Sequence, residues 1–212
     1  MTWSPIKQRR RAIRLRDYDY EQAGAYFVTI CTQERACLFG VIQDDKVCLN
    51  DAGRTIEKWW FELNRKFPMV ETDEFVIMPN HFHGVVIITD VPVGADLRVG
   101  PVPEGGHPTQ QGAHAGAPLQ AVIQWFKTMT TNEYIRGVKT ASWPAFNGRL
   151  WQRNYYEHVI RDDQSLNRIR QYIVDNPARW EFDPENRGVT NPEPADAWRV
   201  GAGFKPAPTR ED

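Results

Sequence analysis

The stretch VETDEFVIMPNHFHGVVIIT, residues 70–89, holds two runs of β-branched and aromatic residues on either side of Pro79-Asn80. Such runs are typical of strands, and a proline followed by asparagine is typical of a turn. We therefore predict strands over 70–78 and 81–89. His81 and His83 lie two positions apart, so both imidazoles should project from one face of the second strand, with Phe82 on the other.

Upstream of this pair the sequence predicts a further strand, a hairpin and a helix. AYFVTICT at 25–32 is typical of a strand, and LFGVIQDDKVCL at 38–49 predicts a short hairpin around Asp44-Asp45. Asn50 can cap a helix that ends before Pro68. The apolar residues of this helix recur at helical spacing: Ile56, Trp59, Trp60, Leu63 and Phe67.

Downstream, two more helices flank one more strand. A helix is predicted over about 119–136, with Gly137 as its stop, then a strand over about 150–160. A third helix should start at Asp162 or Asp163 and run to about Val174 or Asn176. The first six elements, with the hairpin set aside, spell βαββαβ. This order indicates an α+β, ferredoxin-like fold with an antiparallel sheet and an extra C-terminal helix.

Charge and composition divide the chain into three parts. Residues 1–17 form a basic arm, whereas residues 181–212 form a Pro/Gly-rich acidic tail with seven acidic and four basic residues. The domain between them, 18–180, carries a Gly/Pro-rich stretch at 90–117 that we predict to be a disordered insertion. We expect 90–117 and about 187–212 to be removable. On charge alone, the arm can be either a solvated terminus or a segment that binds along the phosphates of a nucleic acid.

Composition also indicates the cellular location of the protein. Every apolar run is broken by charge within about ten residues, too short for a membrane-spanning helix. The first residues lack the apolar segment of a secretion signal. We therefore expect a cytoplasmic protein, in which Cys31, Cys37 and Cys48 are reduced and structural.

Two features carry candidate chemistry, and each has a plain structural alternative. His81 and His83 can hold one divalent ion, or they can be partly exposed residues entering a strand. Tyr172 and Asn176 lie four apart on one flank of the last helix. Tyr172 can equally be a boundary tyrosine with a wet hydroxyl. Asn176 before Pro177 can equally be a helix stop.

Taken together, these features resemble the REP-associated tyrosine transposases of the HUH superfamily of single-strand-DNA transposases and nucleases. The resemblance covers most of residues 14–180 but not 90–117 or the tail. The matching stretches are Tyr18-Asp-Tyr with GAYFVTICT at 24–32, VIMPNHFHG at 76–84, LWQRNYYEHVIR at 150–161 and QYIVDNP at 171–177.

The resemblance implies a mechanism and a set of roles. It makes Tyr172, on the C-terminal helix, the nucleophile of a 5′-phosphotyrosine intermediate. It makes His81, His83 and Asn176 the ligands of a divalent ion, Mg²⁺ or Mn²⁺. The substrate would be single-stranded or hairpin DNA at repetitive extragenic palindromes, bound by a monomer or a dimer. Phosphate contacts are expected from seven basic residues: Arg9, Arg10, Arg11, Arg14, Arg16, Lys127 and Arg153.

Several alternatives stay open. Tyr155 or Tyr156 could be the nucleophile instead of Tyr172. His158 could be a third histidine ligand, which would indicate a zinc hydrolase of small molecules. The chain could also be a domesticated protein that binds hairpin DNA without cutting it.

Overall fold

The computed structural model describes residues 23–90, 119–190, 192–194 and 196–199. The basic arm, with Arg9, Arg10, Arg11, Arg14 and Arg16, and the predicted insertion lie outside the described residues, apart from Asp90. The elements in chain order are β1 (Gly24–Cys31), β2 (Gly40–Gln43), β3 (Lys46–Leu49), α1 (Asp51–Lys66), β4 (Val70–Ile77), β5 (His81–Ile88), α2 (Leu119–Thr140), β6 (Tyr156–Ile160) and α3 (Asp163–Asp175).

The main sheet has four strands in the order β4-β5-β1-β6, and every neighbouring pair is antiparallel. β2 and β3 form a separate hairpin beside it. With that hairpin set aside, the chain forms the predicted βαββαβ unit. The ferredoxin-like, α+β prediction with an extra C-terminal helix is therefore confirmed.

The two faces of the sheet are covered by different helices. Phe82 and its neighbours on one face pack with buried residues of α1 and α2, which include Trp60 and Phe126. On the other face, Phe27 and Val85 pack with Ile169 and Ile173 of α3. Because side chains alternate along β5, His81 and His83 lie on the α3 face, as predicted.

The predicted helix starts are confirmed by their caps. The side chain of Asn50 accepts a hydrogen bond from the Gly53 amide at the start of α1. The carboxylate of Asp162 accepts one from the Ser165 amide at the start of α3. Both side chains satisfy amides that have no partner within the first turn of a helix.

Two predicted boundaries were wrong. Gly137 does not stop α2, which continues to Thr140. A glycine occupies this position because the Trp143 ring packs against it and leaves no room for a side chain. The strand predicted from 150 begins only at Tyr156. Before it, Trp151 forms an isolated bridge to Thr32, and its indole N–H donates to the Thr130 hydroxyl.

The described part of the tail packs against the domain. Asp183, Glu185 and Trp198 are buried, and Trp198 joins the cluster under α3 that contains Phe27 and Ile169. The expectation that the chain from about 187 is removable therefore does not hold at Trp198. The burial was missed because one tryptophan in a Pro/Gly-rich segment shows no periodicity. In the described ranges we find no helix long and apolar enough to cross a membrane.

Candidate active site

The first three residues of β5 place two imidazoles against each other under α3. His81 and His83 are 0% and 4% exposed, and their Nε2 atoms lie 3.1 Å apart. The indole of Trp180 stacks on His81, and the ring of Phe27 stacks on His83. The pair is thus held rigidly in a site closed to solvent.

The outer nitrogen of each ring is bound by an oxygen. Asn80 Oδ1 lies 2.8 Å from His81 Nδ1, and Thr29 Oγ1 lies 2.8 Å from His83 Nδ1. Thr29 is the partner of His83 across the β1–β5 ladder, which explains its position. These contacts leave the two Nε2 atoms facing the interior of the site.

Asn80 fixes the tautomer of His81. Its Nδ2 donates to the backbone carbonyls of Arg35 and Glu185, so its Oδ1 must be the atom that faces the imidazole. An amide oxygen only accepts, and His81 Nδ1 therefore carries the proton. In neutral His81 the Nε2 atom then presents a lone pair, as a metal ligand must.

His83 is neutral at physiological pH. Burial, together with the neighbouring His81, lowers the pKa of His83 to about 3. Thr29 Oγ1 can accept a hydrogen bond from Nδ1–H of this ring, which would leave its Nε2 with a lone pair as well. In the other tautomer Thr29 Oγ1 donates to Nδ1, and His83 Nε2–H donates to the lone pair of His81 Nε2 over the observed 3.1 Å; a shared cation would take the place of that proton.

Tyr172 projects from α3 into the same site, where it forms a hydrogen bond with the side chain of Asn176, the residue that caps the end of the helix. The Tyr172 ring lies 5.4 Å from the His83 ring, centroid to centroid, and is 8% exposed. Burial and the charge of Asp183 raise the pKa of Tyr172, while a hydrogen bond from the Asn176 side chain favours the phenolate. The phenol is therefore protonated unless a positive charge comes close.

Asn176 carries an unused ligand atom. Its side chain is 2% exposed, and its Oδ1 has no hydrogen-bond partner among the described residues. A buried amide oxygen without a partner costs about 1–3 kcal/mol. Binding to a cation would offset that cost.

Asp183, which was predicted to lie in the acidic tail, completes the cluster. Its Oδ2 lies 3.6 Å from His81 Nε2, and ligand atoms of His81, His83 and Asp183 all lie within 4.8 Å of one another. Glu185 lies beside it, where it pairs with Arg35. The only signal in the sequence is that these acids alternate with aromatic residues and proline in WEFDPE, 180–185.

The remaining candidates lie elsewhere. Lys127 and Arg153 flank a groove beside α2, away from the α3 face. Tyr156 packs in the cluster under α3, whereas Tyr155 packs on the opposite face of the sheet. The His158 ring lies against Trp198, tilted by 49°, and the described cluster of ligand atoms contains Asp183 rather than His158.

Comparison with known proteins places this site in context. No family model matches the chain. An uncharacterized protein of Haemophilus influenzae is 39% identical over 182 residues, which cover 82% of this chain and 91% of that protein. A second protein of that organism, named "Putative REP-associated tyrosine transposase", is 23% identical over 164 residues, covering 76% and 74% of the two chains.

Two solved structures are similar at low identity. One is a REP-associated tyrosine transposase bound to a REP hairpin, with 17% identity, a TM-score of 0.48, and coverage of 78% of this chain and 73% of that one. The other is "a putative transposase" from Deinococcus radiodurans, with 13% identity, a TM-score of 0.41, and coverage of 77% and 96%. The chain belongs to the same family as the 39% identical Haemophilus protein, and it resembles the REP-associated tyrosine transposases.

Proposed function

We propose that the chain is a metal-dependent tyrosine transposase that cuts and rejoins single-stranded or hairpin DNA. One observation carries this proposal: the Tyr172 phenol lies beside a buried pair of imidazoles whose Nε2 atoms face each other. A protein that only binds DNA needs neither the pair nor the phenol. The name of the 23% identical relative makes repetitive extragenic palindromes the substrate class to test first.

The donor atoms of this site fit a divalent ion. His81 and His83 would supply two nitrogens, and Asn176 and Asp183 two oxygens. A mixed set of this kind suits Mn²⁺, and Mg²⁺ accepts it less readily because it prefers oxygen. When bound, the ion would polarise the scissile phosphate and stabilise negative charge on the phenolate and on the departing 3′ oxygen.

Tyr172 would perform the covalent step. Its phenol loses a proton to solvent, and the phenolate oxygen forms a bond to phosphorus while the bond from phosphorus to the 3′ oxygen breaks. The departing oxygen takes up a proton and becomes a free 3′-OH, and the 5′ end stays on Tyr172. An aryl phosphodiester is a good leaving group, so the 3′-OH of a second strand can reverse the reaction and rejoin DNA.

The burial of the site sets a condition on this reaction. His81, Tyr172 and Asn176 are all nearly inaccessible, and the chain that follows α3 covers part of the site: Trp180 stacks on His81, and Trp198 packs in the cluster that contains Tyr172. Glu185 attaches this cover through its carboxylate to Arg35 and through its carbonyl oxygen to Asn80. A phosphodiester would therefore reach Tyr172 only when this part of the chain moves aside.

The proposal is tested with hairpin oligonucleotides that carry a single-stranded flank and a label on one end or the other. Incubation with Mn²⁺ should give a protein–DNA adduct that survives denaturant, retains the label on the 3′ side of the cut and disappears with chelator. Binding without any adduct would contradict the proposal and would indicate a hairpin-binding protein without cleavage activity.

A further inference from the structure

A polar groove runs between α2 and the chain that leads into β6. It encloses about 360 Å³ and lies on the outer side of α2 rather than under α3. Its described lining includes Leu150 and Trp151, but most of its other side chains are polar or basic and none is acidic. The residues that matter here are Gln124, Lys127, Thr128, Asn132, Arg149 and Arg153.

No carboxylate among the described residues neutralises the positive charges of this groove. Arg149 and Arg153 are exposed, and within the described ranges no carboxylate pairs with either. Among the other described arginines, Arg161, Arg168 and Arg187 likewise have no ion pair with a carboxylate, whereas six do have such partners: Arg35, Arg54, Arg65, Arg136, Arg170 and Arg179. Two unpaired guanidinium groups on one groove favour an anionic ligand that can accept from both.

Lys127 forms the floor of the groove. Its ammonium donates to the carbonyl oxygens of Gln152 and Arg153, at 2.7 and 3.0 Å, which leaves one of its three N–H groups for a ligand. Burial and the nearby Arg149 lower the pKa of Lys127 to about 8. A bound phosphate would offset both effects by supplying the missing negative charge.

The groove is physically joined to the catalytic end of the sheet. The Gln152 amide donates to the Cys31 carbonyl, and its side chain donates to the Thr32 carbonyl. The Thr32 amide donates in turn to the carbonyl of Asn80, which precedes His81. The backbones of Gln152 and Asn80 are thus two hydrogen-bonded chain spacings apart, or about 10 Å.

We propose that this groove binds the phosphodiester backbone of the single DNA strand that flanks the cleavage point. Arg149, Arg153 and Lys127 would pair with successive phosphates. Gln124 and Asn132, which are exposed on α2, would contact bases. The inference rests on the proposed function, because the strand in question is the one that Tyr172 would cut.

The test compares Arg149→Gln/Arg153→Gln with Arg54→Gln/Arg65→Gln, which removes the same charge from α1. Binding is measured by fluorescence anisotropy over a salt series, with chelator present, on a blunt hairpin and on hairpins with flanks of about four and about eight nucleotides. Adduct formation by the unaltered protein is measured in parallel with Mn²⁺. Because both pairs of arginines are on the surface, each variant should melt like the unaltered protein.

We expect the groove variant to bind the flanked hairpins about ten-fold more weakly and to lower the salt slope by about 1.4, or about 0.7 for each lost phosphate contact. The blunt hairpin and the α1 variant should show little change. Unchanged binding of flanked hairpins, equal losses with and without a flank, or no binding by the unaltered protein would each overturn the groove proposal. A flank-dependent loss without any adduct would support the groove and contradict the role of Tyr172.

Discussion

Asn80 Oδ1 and His81 Nδ1 lie 2.8 Å apart, and the orientation of the Asn80 amide is set by two backbone carbonyls. The first of these belongs to the turn after β1 and the second to the chain that covers the site. The positions of both segments therefore determine, through one asparagine, which nitrogen of His81 carries the proton. Binding of a metal ion through His81 Nε2 would require that proton to be on Nδ1.

Replacing Asn80 with alanine should lower Mn²⁺ affinity by about 10–100-fold, because His81 Nδ1–H loses its acceptor and the ring can adopt the other tautomer. Titration calorimetry measures the affinity, and nitrogen NMR of the imidazole reports the tautomer. Asn64→Ala is the control, since that exposed side chain holds only Thr72. Equal Mn²⁺ affinity in Asn80→Ala and the unaltered protein would rule out this role for Asn80.

Asp183→Asn tests whether the carboxylate belongs to the ion site. The change keeps the shape and the hydrogen bond from the Glu185 amide, but it removes the negative charge near His81. We expect Mn²⁺ to bind at least about ten-fold more weakly, as for loss of a charged ligand. Glu181→Gln, an exposed acid two residues earlier, should bind Mn²⁺ normally. If the two variants bind alike, Asp183 only packs beside the imidazoles.

Trp198→Ala should destabilise the fold by about 3 kcal/mol, because it empties a space between Phe27 and His158. The free energy of unfolding in urea measures the loss. Phe61→Ala, which truncates an aromatic ring that is half exposed, should cost much less. Were Trp198→Ala as stable as the unaltered protein, the tail would be dispensable as the sequence analysis expected.

The Asp73–Arg170 ion pair attaches α3 to β4 and should show in the pH dependence of stability. The hydrogen bond from Arg170 lowers the pKa of Asp73. The contribution of the ion pair to the stability of the fold is therefore fully present above the pKa of a free aspartate. It is lost as pH falls through the lowered pKa of Asp73.

Asp73→Asn should cost about 1 kcal/mol or less near neutral pH, because Arg170 is partly exposed. The difference from the unaltered protein should be smaller at an acidic pH below the pKa of a free aspartate, about 3.9, than at neutral pH, and it should vanish once Asp73 itself is protonated. Urea unfolding at the two pH values checks this, with the exposed Glu71→Gln as control. A difference that is the same at both pH values would exclude an electrostatic origin.

The predictable parts of the fold are those decided by local chemistry. Asn50 and Asp162 could be placed at helix starts because their side-chain oxygens bind the next turn. The alternation in 70–89 placed both imidazoles on one face, since strand geometry leaves no other arrangement. The shared site of His81, Tyr172 and Asn176 came from the family resemblance, because nothing local brings α3 to β5.

The parts that were missed depend on distant contacts. Asp183 reaches His81 only because the chain turns back after α3, and no spacing rule predicts that path. Residues 150–155 have the composition of a strand, but Gln152 bonds to the end of β1 instead of extending β6. The roles of Arg9, Arg10, Arg11, Arg14 and Arg16 in DNA binding stay predictions, as does the division into arm, domain and tail.

The central claim is that Tyr172 forms the covalent bond to DNA, and Tyr172→Phe tests it directly. The change removes only the hydroxyl, so the ring still packs on Phe27 and hairpin binding should persist. The denaturant-stable adduct with labelled hairpin DNA and Mn²⁺ should disappear, while Tyr156→Phe should keep much of its activity. An adduct that survives in Tyr172→Phe but is lost in Tyr155→Phe or Tyr156→Phe would contradict the account and move the nucleophile to the chain entering β6.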